Sequence, residues 1–432
     1  MTISLATDSR TAVFGYGVEG RSAIIWLQRR GCRDVRVISA ARPETLEAGV
    51  PWFPESDADA ALSGVELLIK SPGIRPAHPL IQAAALRGIP TTSATVLFVE
   101  AARAAGLAVI GVTGSKGKST TATLIAKTLE AATIPTVLVG NIGRTALDVL
   151  EDAVSNRPVV VVEMSSYQTH DLTLGPSVAV VSRLFPEHLD WHGGVAPYYL
   201  AKLRIATSQR PDDVTIWNAA DPELARRAPL GPARHIAYGT GGLRYSDAKM
   251  LLRGPHNRLN ASAALCAAEL FGAFPSHLEE VLASFAGLPH RLEDLGIHGG
   301  VRWVNDSIAT APEAAVAALD AFGAEVATYI GGGTDRGFDF SPLAAALAAR
   351  AVPHVILLPP GGQAIRTALA AIDAGAASRA HEVADLAEAV ALAARLAPPG
   401  STVLFSPASP SYGSFRNFEE RGNAFRGFVG AL

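Results

Sequence analysis

Residues 106–121 read GLAVIGVTGSKGKSTT, in which an apolar run leads into a glycine-rich turn and then into a helix-forming segment. A turn of this kind can surround a phosphate with backbone N–H groups, while Lys118 reaches the outer phosphates and Ser119 offers its hydroxyl to magnesium. The spacing departs from the standard phosphate loop, because Val112 stands where the first glycine is expected. The segment therefore predicts a nucleotide site, and the alternative is a plain glycine turn between a strand and a helix.

The composition is typical of a chain with several packed cores. The chain has 432 residues, of which 49% are hydrophobic and 18% charged, so we expect about two to four domains. A net charge of −3 without blocks of like charge argues against a nucleic-acid partner. Cys32 and Cys266 lack metal or redox spacing, as is usual in a reduced cytosol. Since no apolar run is long enough to span a membrane and no leader pattern opens the chain, we expect a cytoplasmic protein without membrane insertion.

The first part of the chain has the pattern of a nucleotide-binding half of a doubly wound sheet. Residues 11–40 read as a strand, a GYGVEG turn at 15–20, a helix and a second strand. The second strand ends at Ser39 without the acidic residue that a dinucleotide requires, which favours another nucleotide or a purely structural turn. A further strand at 65–69 leads into Ser-Pro-Gly at 71–73, at the edge where such sheets place ligands.

Polar side chains follow two buried strands of the central part. Four valines at 159–162 indicate a strand buried on both faces, and Glu163 follows directly. A buried carboxylate there is either ion-paired or a metal ligand, and a magnesium-dependent loop nearby favours the ligand. His188 follows the strand at 178–182, so it also is expected near the nucleotide. Lys202, on an apolar helix, reads by composition alone as a surface lysine.

Two amides lie three residues apart on a later helix. Asn257 and Asn260 could hold a purine or a ribose from one helix face, and helix capping is the alternative. A break at 287–291 then separates a third α/β unit. Its strands run into polar, glycine-, proline- or serine-rich loops, which start at residues 305, 331 and 406. Parallel strands end at one edge, so a second ligand is expected there.

Nine segments follow the order and spacing of one family. They read GVTGSKGKST (111–120), GNIG (140–143), EMSSYQ (163–168), EHLD (187–190), AKLRI (201–205), GPHNRLNA (254–261), GLPHRLE (287–293), NDSIAT (305–310) and RNFEERGNAF (416–425). On these segments the chain resembles the ATP-dependent Mur ligases of peptidoglycan synthesis, and among them the members that add glutamate to UDP-N-acetylmuramoyl-L-alanine. The resemblance implies an α/β fold with three domains. Residues 1–94 would form a Rossmann-like domain for the UDP substrate, 95–287 a central P-loop ATPase domain, and 288–432 a Rossmann-like glutamate-binding domain.

The resemblance also implies which residues bind ATP and two magnesium ions. ATP contacts would come from Gly114, Ser115, Lys116, Gly117, Lys118, Ser119, Thr120, Asn257, Asn260, Arg291 and Asp306. The magnesium ions would be held by Ser119, Glu163, His188 and Lys202. The family carbamylates this lysine, which turns a cation into an anion that can help hold magnesium. The residues expected to act in catalysis are Lys118, Asn141, His188 and Lys202.

Further positions correspond to substrate contacts in the family. The UDP substrate would meet Gly15, Gly17, Val18, Ser71, Pro72 and Gly73, and the amino acid would meet Thr310, Arg336, Ser411 and Phe418. In the implied reaction ATP phosphorylates the terminal carboxyl, and the glutamate amine attacks the acyl phosphate. A motor ATPase would also carry a phosphate loop, and a folate-polyglutamylating ligase shares the central and C-terminal plan. The motor ATPase would not need the NDSIAT and RNFEERG segments, and the folate ligase lacks a separate N-terminal nucleotide domain of this kind. We expect a monomer.

The loops facing glutamate depart from the D-glutamate-adding members. Those enzymes usually read NDSKAT, whereas Ile308 replaces the lysine here, and the last loop carries Pro410 and Tyr412. The departures resemble members that add L-glutamate and rely on a separate epimerase afterwards. The alternative is drift within a D-glutamate enzyme, with Arg336 or Arg416 supplying the lost charge.

Overall fold

A computed structural model describes residues 9–141, 143–252, 254–372 and 374–432. The first eight residues, on which the expectation about a leader rests, lie outside the described residues, and so does Ile142 of the GNIG segment. The fold class predicted from the sequence is confirmed, since helices cover three sheets that are parallel except for one edge strand.

The first sheet has the strand order β3-β2-β1-β4-β5 and is parallel throughout. Its strands are β1 (Thr11–Phe14), β2 (Val35–Ser39), β3 (Trp52–Pro54), β4 (Leu67–Lys70) and β5 (Thr91–Thr92). Its helices are α1 (Val18–Arg29), α2 (Ala58–Leu62) and α3 (Pro79–Leu86). From β1 the chain adds β2 and β3 on one side of the sheet, and then β4 and β5 on the other side of β1. Because the strand order changes direction at β1, a crevice opens at the carboxyl ends of β1, β2 and β4.

The second sheet has the order β11-β10-β9-β6-β8-β7 and is also parallel. Its strands are β6 (Val109–Thr113), β7 (Thr136–Gly140), β8 (Val159–Glu163), β9 (Val178–Val181), β10 (Val214–Asn218) and β11 (Arg234–Tyr238). The helices are α4 (Ala94–Ala104), α5 (Lys118–Ala131), α6 (Ala146–Asn156), α7 (Ser166–Thr169), α8 (Leu189–His192), α9 (Val195–Thr207), α10 (Pro222–Arg227), α11 (Pro255–Glu269) and α12 (Pro275–Ser284). Every residue of β6, β8 and β9 is buried, because helices cover both faces.

The third sheet has the order β12-β13-β17-β14-β15-β16, in which only β12 runs antiparallel to its neighbour. Its strands are β12 (Glu293–His298), β13 (Val301–Asn305), β14 (Val326–Gly332), β15 (His354–Leu358), β16 (Ala380–Glu382) and β17 (Thr402–Phe405). Its helices are α13 (Pro312–Phe322), α14 (Ser341–Ala349), α15 (Gly361–Ile372), α16 (Ala374–Ala377), α17 (Leu386–Leu396) and α18 (Phe418–Gly430). The three strands predicted to end at one edge, β13, β17 and β14, are neighbours and parallel.

Two compact units contain these sheets. The first unit includes the described residues up to Met250 and Pro255–Ala283, and the second includes Ser284–Leu432 with the described residues of 251–254. The first two sheets therefore share one unit, and a continuous apolar core runs from α1 to α6 and α9. The boundaries at 94/95 and 287/288 fall between strands of different sheets and stay predictions. Among the described residues, every helix is too short or too polar to cross a membrane.

One ion pair fixes α4 against the central sheet, and its removal gives a stability test. Arg103 Nη2 lies 2.6 Å from Asp213 Oδ1, and the two side chains are only 10% and 4% exposed. Asp213→Ala leaves a buried guanidinium without its carboxylate, so we expect the free energy of unfolding to fall by about 3–5 kcal/mol. The double variant Arg103→Met/Asp213→Leu leaves no buried charge without a partner. Its free energy of unfolding is therefore expected to fall clearly less. Urea unfolding followed by circular dichroism compares the two, and equal losses would contradict the electrostatic explanation.

Candidate active site

The register of the second sheet brings three chain segments to one edge. Val112 of β6 pairs with Glu163 of β8, and Thr113 pairs with Val181 of β9. The glycine-rich loop after β6, the carboxylate at the end of β8 and the loop after β9 therefore begin side by side. Because all three strands are parallel, their carboxyl ends form the edge where α/β sheets bind ligands.

The glycine-rich loop has the backbone shape of a phosphate cradle. Gly117 has φ 87° and precedes α5 as its N-cap. A Cβ at Gly117 would lie 2.4 Å from Asn260 Oδ1, so only glycine fits between the loop and α11. The loop is supported from β9, since Ser182 Oγ donates to the Lys116 carbonyl at 2.7 Å. The N-terminus of α5 thus lies at the predicted phosphate position, and the backbone N–H groups of a first helical turn are donors that can bind phosphate.

Two predicted nucleotide contacts of this loop have other partners. Ser115 is buried, and its hydroxyl donates to the Phe185 carbonyl at 2.7 Å and lies 2.9 Å from the Tyr198 hydroxyl. Lys116 is half-exposed and lies 3.3 Å from Glu187. The Ser115 side chain therefore supports the loop. A contact between Ser115 and a nucleotide would have to come from its backbone. Tyr198 and Glu187 are site residues that sequence reasoning missed, although Tyr198 lies one helical turn before the predicted Lys202.

A buried carboxylate at the loop fits a divalent cation. Glu163 is fully buried, and its Oε2 accepts a hydrogen bond of 3.0 Å from Ser119 Oγ. Its other oxygen, Oε1, is buried without a hydrogen-bond partner among the described residues. A carboxylate left in this state needs a cation. In the described part of the chain, no group of three or more His, Cys, Asp and Glu side chains could by itself hold a metal ion, whereas magnesium commonly combines one or two carboxylates with substrate phosphates.

Lys202 is buried, so the interpretation as a surface lysine is wrong. Its side chain is 2% exposed, and Nζ donates to the Gly114 carbonyl at 2.7 Å. Desolvation, reinforced by the Lys118 charge, holds the pKa of Lys202 well below its ordinary value. Lys118 itself donates from Nζ to the Ser115 carbonyl at 3.0 Å. Composition could not reveal this, because the helix α9 that carries Lys202 packs against the phosphate loop only in the folded chain.

Aromatic rings surround His188 at the same edge. The Tyr167 ring lies 5.1 Å from His188, 4.8 Å from Trp191 and 5.7 Å from His192, measured between centroids. Partial burial, together with the charges of Lys202 and Lys118, lowers the pKa of His188. The neutral ring is the form that binds metals. The sequence had indicated the histidine but not the aromatic residues around it.

Asparagine side chains complete the loop's surroundings. Asn260 Oδ1 accepts from Thr121 Oγ1 at 3.3 Å, and Asn260 Nδ2 donates to Asn257 Oδ1 at 3.0 Å. Both asparagines lie within α11, and their side chains bond to each other. Asn141 is exposed, and its backbone N–H donates to the backbone carbonyl of Glu163 at 3.0 Å.

A cavity of about 580 Å³ opens at the carboxyl edge of the first sheet. Among the predicted substrate contacts, Gly15 and Gly73 line it. Ser71 Oγ donates to the Gly15 carbonyl at 3.1 Å. Pro72 shares the turn of Ser71 and Gly73, Gly17 is the N-cap of α1, and Val18 is 76% exposed. The sequence missed the polar lining residues Ser39, Glu55 and His78, although each lies at or just after a strand end or in the loop before α3.

The remaining predicted contacts belong to the second unit and are described within it. Asp306 is buried, and its two oxygens accept from Ser406 Oγ at 2.8 Å and from the Leu292 N–H at 3.1 Å. Arg336 lies with its guanidinium carbon 5.2 Å from the Tyr412 ring centroid. The other four are Arg291 and Thr310, both partly buried, Ser411, buried, and Phe418, the first residue of α18.

A buried arginine that the sequence analysis did not single out joins two loops at this third-sheet edge. Arg421 is 2% exposed. Its Nη2 donates to the Ser307 carbonyl at 2.8 Å and its Nη1 to the Ser409 carbonyl at 2.9 Å. Desolvation lowers the pKa of Arg421 to about 10. The NDSIAT loop and the loop after β17 are thus held together.

Known proteins resemble the chain over its whole length. The Mur ligase middle domain matches residues 112–268, and the Mur ligase, glutamate ligase domain matches residues 290–409. A UDP-N-acetylmuramoyl-L-alanine–L-glutamate ligase of Salinispora tropica is 38% identical, with 98% of each chain covered. A UDP-N-acetylmuramoylalanine–D-glutamate ligase of Symbiobacterium thermophilum is 37% identical, again with 98% of each covered. The solved structure of UDP-N-acetylmuramate-alanine ligase MurC from Thermotoga maritima shares the fold, with a TM-score of 0.59, 19% identity and coverage of 98% of this chain and 99% of its own.

Together the nucleotide loop, the buried carboxylate and these relatives define an ATP-dependent ligase. The chain belongs to the Mur ligase family, and its reaction serves peptidoglycan synthesis.

The phosphate-loop lysine provides a direct test of the site. Lys118→Ala is expected to weaken binding of magnesium with a non-hydrolysable ATP analogue by about 100-fold or more, because a desolvated contact to phosphate is lost. The fold should persist, since the glycines shape the loop. Calorimetric titration measures the affinity, and Lys127→Ala, on the exposed face of the same helix, is the control. Equal affinities for the Lys118 variant and the wild type would refute the assignment.

Proposed function

We propose that this protein joins glutamate to UDP-N-acetylmuramoyl-L-alanine with cleavage of ATP. The observation that carries the proposal is the buried Glu163, bonded to Ser119 of the phosphate loop and facing the charges of Lys118 and Lys202. The names of the full-length relatives support the substrates. The cavity at the first sheet supports a nucleotide-sugar site in the same unit. The three domains at 1–94, 95–287 and 288–432 divide the work, and the enzyme acts as a cytoplasmic monomer.

ATP binds at the loop between β6 and α5. The loop N–H groups and Lys118 hold the phosphates, and Asn257 and Asn260 on α11 hold the adenosine side. Ser119 and Glu163 would hold one magnesium ion, and His188 and Lys202 would hold the other. Bound magnesium neutralises charge that develops on the transferred phosphate.

The reaction needs activation of a carboxyl group, because a carboxylate does not acylate an amine at neutral pH. The terminal carboxylate of the L-alanine attacks the γ-phosphate of ATP, a C–O–P bond forms and ADP leaves. The glutamate amine then attacks the acyl carbon, loses a proton and expels phosphate. Lys118 stabilises the charge on the phosphate, and Asn141, whose backbone bonds to the backbone of Glu163, supplies its amide to position the carboxyl.

Lys202 acts in this scheme as a carbamate. A bare ammonium beside magnesium would repel it, and the hydrogen bond that Nζ makes to the described residues is to the neutral Gly114 carbonyl. The neutral amine, which the lowered pKa favours, attacks carbon dioxide, forms an N–C bond and releases a proton. The resulting anion can share magnesium with His188.

Carbamylation is tested with ¹³C-labelled bicarbonate. We expect one protein-bound carbamate signal by ¹³C NMR that is absent from Lys202→Gln and retained in Lys127→Ala. Ligation should slow when bicarbonate is removed, because magnesium loses a ligand. A nucleotide-bound crystal structure with an unmodified Lys202 would contradict this role.

L-glutamate is the amino acid that the second-unit loops favour. Ile308 removes a cation from the NDSIAT loop. Tyr412 lies against Arg336, and its carbonyl accepts from Thr334 Oγ1, so the last loop fixes the position of this arginine. Arg416 is bonded to Glu420 at 3.3 Å, which makes it a poor substitute for the lost lysine. The alternative is D-glutamate, which the Symbiobacterium relative uses by its name.

Ligation with pure L- and pure D-glutamate decides between them. Inverting the α-carbon exchanges the directions of the carboxylate and the side chain, and a mispaired carboxylate is rejected strongly. We therefore expect kcat/KM for L-glutamate to exceed that for D-glutamate by about 100-fold. Ile308→Lys should reduce this preference, and Tyr412→Phe is the matched control on the opposite loop. Turnover of D-glutamate alone would overturn the L-glutamate assignment while leaving the ligase intact.

A further inference from the structure

Gln168 is held in one orientation by its neighbours. The side chain is 3% exposed, and its Oε1 accepts from the Ser165 N–H at 2.7 Å. In return Ser165 Oγ accepts from the Gln168 N–H at 3.3 Å, which closes a capping box at the start of α7. Because the amide oxygen is used, Nε2 must point the other way. It donates to Glu19 Oε1 at 2.5 Å.

Glu19 belongs to the first sheet's glycine turn, two residues after Gly17 in the first turn of α1. Its second oxygen, Oε2, is buried without a hydrogen-bond partner among the described residues. Desolvation raises the pKa of Glu19 to about 7, and Gln168, Lys70 and Thr95 act in the opposite direction. Either protonation state still offers Gln168 an acceptor oxygen. The contact therefore depends on the reach of the side chain and not on its charge.

We propose that Glu19 is a positioning residue that holds the Glu163–Ser166 turn in place through the amide of Gln168. The inference rests on the proposed function, because it gives that turn the task of presenting Glu163 to magnesium. The turn starts at Glu163, the last residue of β8. Two residues later comes Ser165, which is hydrogen-bonded to Gln168. The glycine turn beside the proposed nucleotide-sugar cavity is thereby connected by hydrogen bonds to Ser165, and from Ser165 by the backbone to Glu163.

A second polar contact from the same helix provides the matched control. Ser22, three residues after Glu19, donates to Asp148 Oδ1 at 2.6 Å and accepts from Thr145 Oγ1 at 2.6 Å. It joins α1 to α6 and does not touch the Glu163–Ser166 turn. If the Glu19 variants acted only by loosening the packing of α1, Ser22→Ala would have the same effect.

The test compares variants that change the length of the side chain at position 19 and variants that change its charge. Glu19→Ala and Glu19→Asp cannot reach Gln168, and Glu19→Asp keeps the charge in case the alanine variant fails to fold. Glu19→Gln keeps the reach without the charge. Hydrogen–deuterium exchange of the amides of Gln168, Thr169 and His170 reports the order of α7 without requiring catalysis, and the magnesium concentration for half-maximal ligation reports the presentation of Glu163.

We expect about tenfold faster exchange of these amides in Glu19→Ala and Glu19→Asp, since α7 loses its anchor. The magnesium requirement should rise about tenfold in the same variants, and Glu19→Gln should restore both values, whereas Ser22→Ala changes neither. Unchanged exchange in Glu19→Asp, or an equal effect of Ser22→Ala, would overturn the inference. If the wild type fails to ligate these substrates, the proposed function fails, and the exchange data still decide whether Glu19 positions α7.

Discussion

The site depends on a carboxylate that parallel pairing places in the interior at the end of a buried strand. Glu163 pairs with Val112 in the β6–β8 register and is fully buried, so its charge must be met by partners brought from elsewhere. Ser119 supplies one hydrogen bond, and the remaining oxygen calls for a cation. The phosphate loop, α5 and the loop after β9 are arranged around this requirement. The magnesium-nucleotide complex proposed above would satisfy it together with the lysine charge at this edge.

Positive charge at this edge is concentrated on two lysines whose surroundings differ. Lys118 begins α5 and donates to the loop carbonyl of Ser115, so it stands at the helix N-terminus where phosphate binds. Lys202, a residue of α9, is buried, and desolvation lowers its pKa. Two ammonium groups so close would repel each other and magnesium. The proposed carbamate removes this conflict by changing the sign of one charge.

Polar side chains at the carboxyl ends of the strands have different kinds of partner in the two units. In the first unit the key groups are carboxylate, lysine and histidine, which suit phosphate and magnesium. In the second unit Arg421 uses its donors on the carbonyls of Ser307 and Ser409, and Asp306 uses its oxygens on Ser406 and Leu292. The loops of the third sheet are thus fixed by buried hydrogen bonds. Such fixed loops can discriminate between enantiomers, because a carboxylate placed wrongly finds no donor.

The sequence by itself determined the α/β fold class, the strand ends that carry polar residues, and the family. These follow from local patterns, since valine runs, glycine turns and their spacing are read along the chain. Only the tertiary structure decided that Lys202 is buried, that Ser115 turns its hydroxyl inward, and that Glu19 meets Gln168. Those contacts join residues tens to more than a hundred positions apart. Their burial and partners depend on how helices pack on the sheets, which no periodicity of a single segment records.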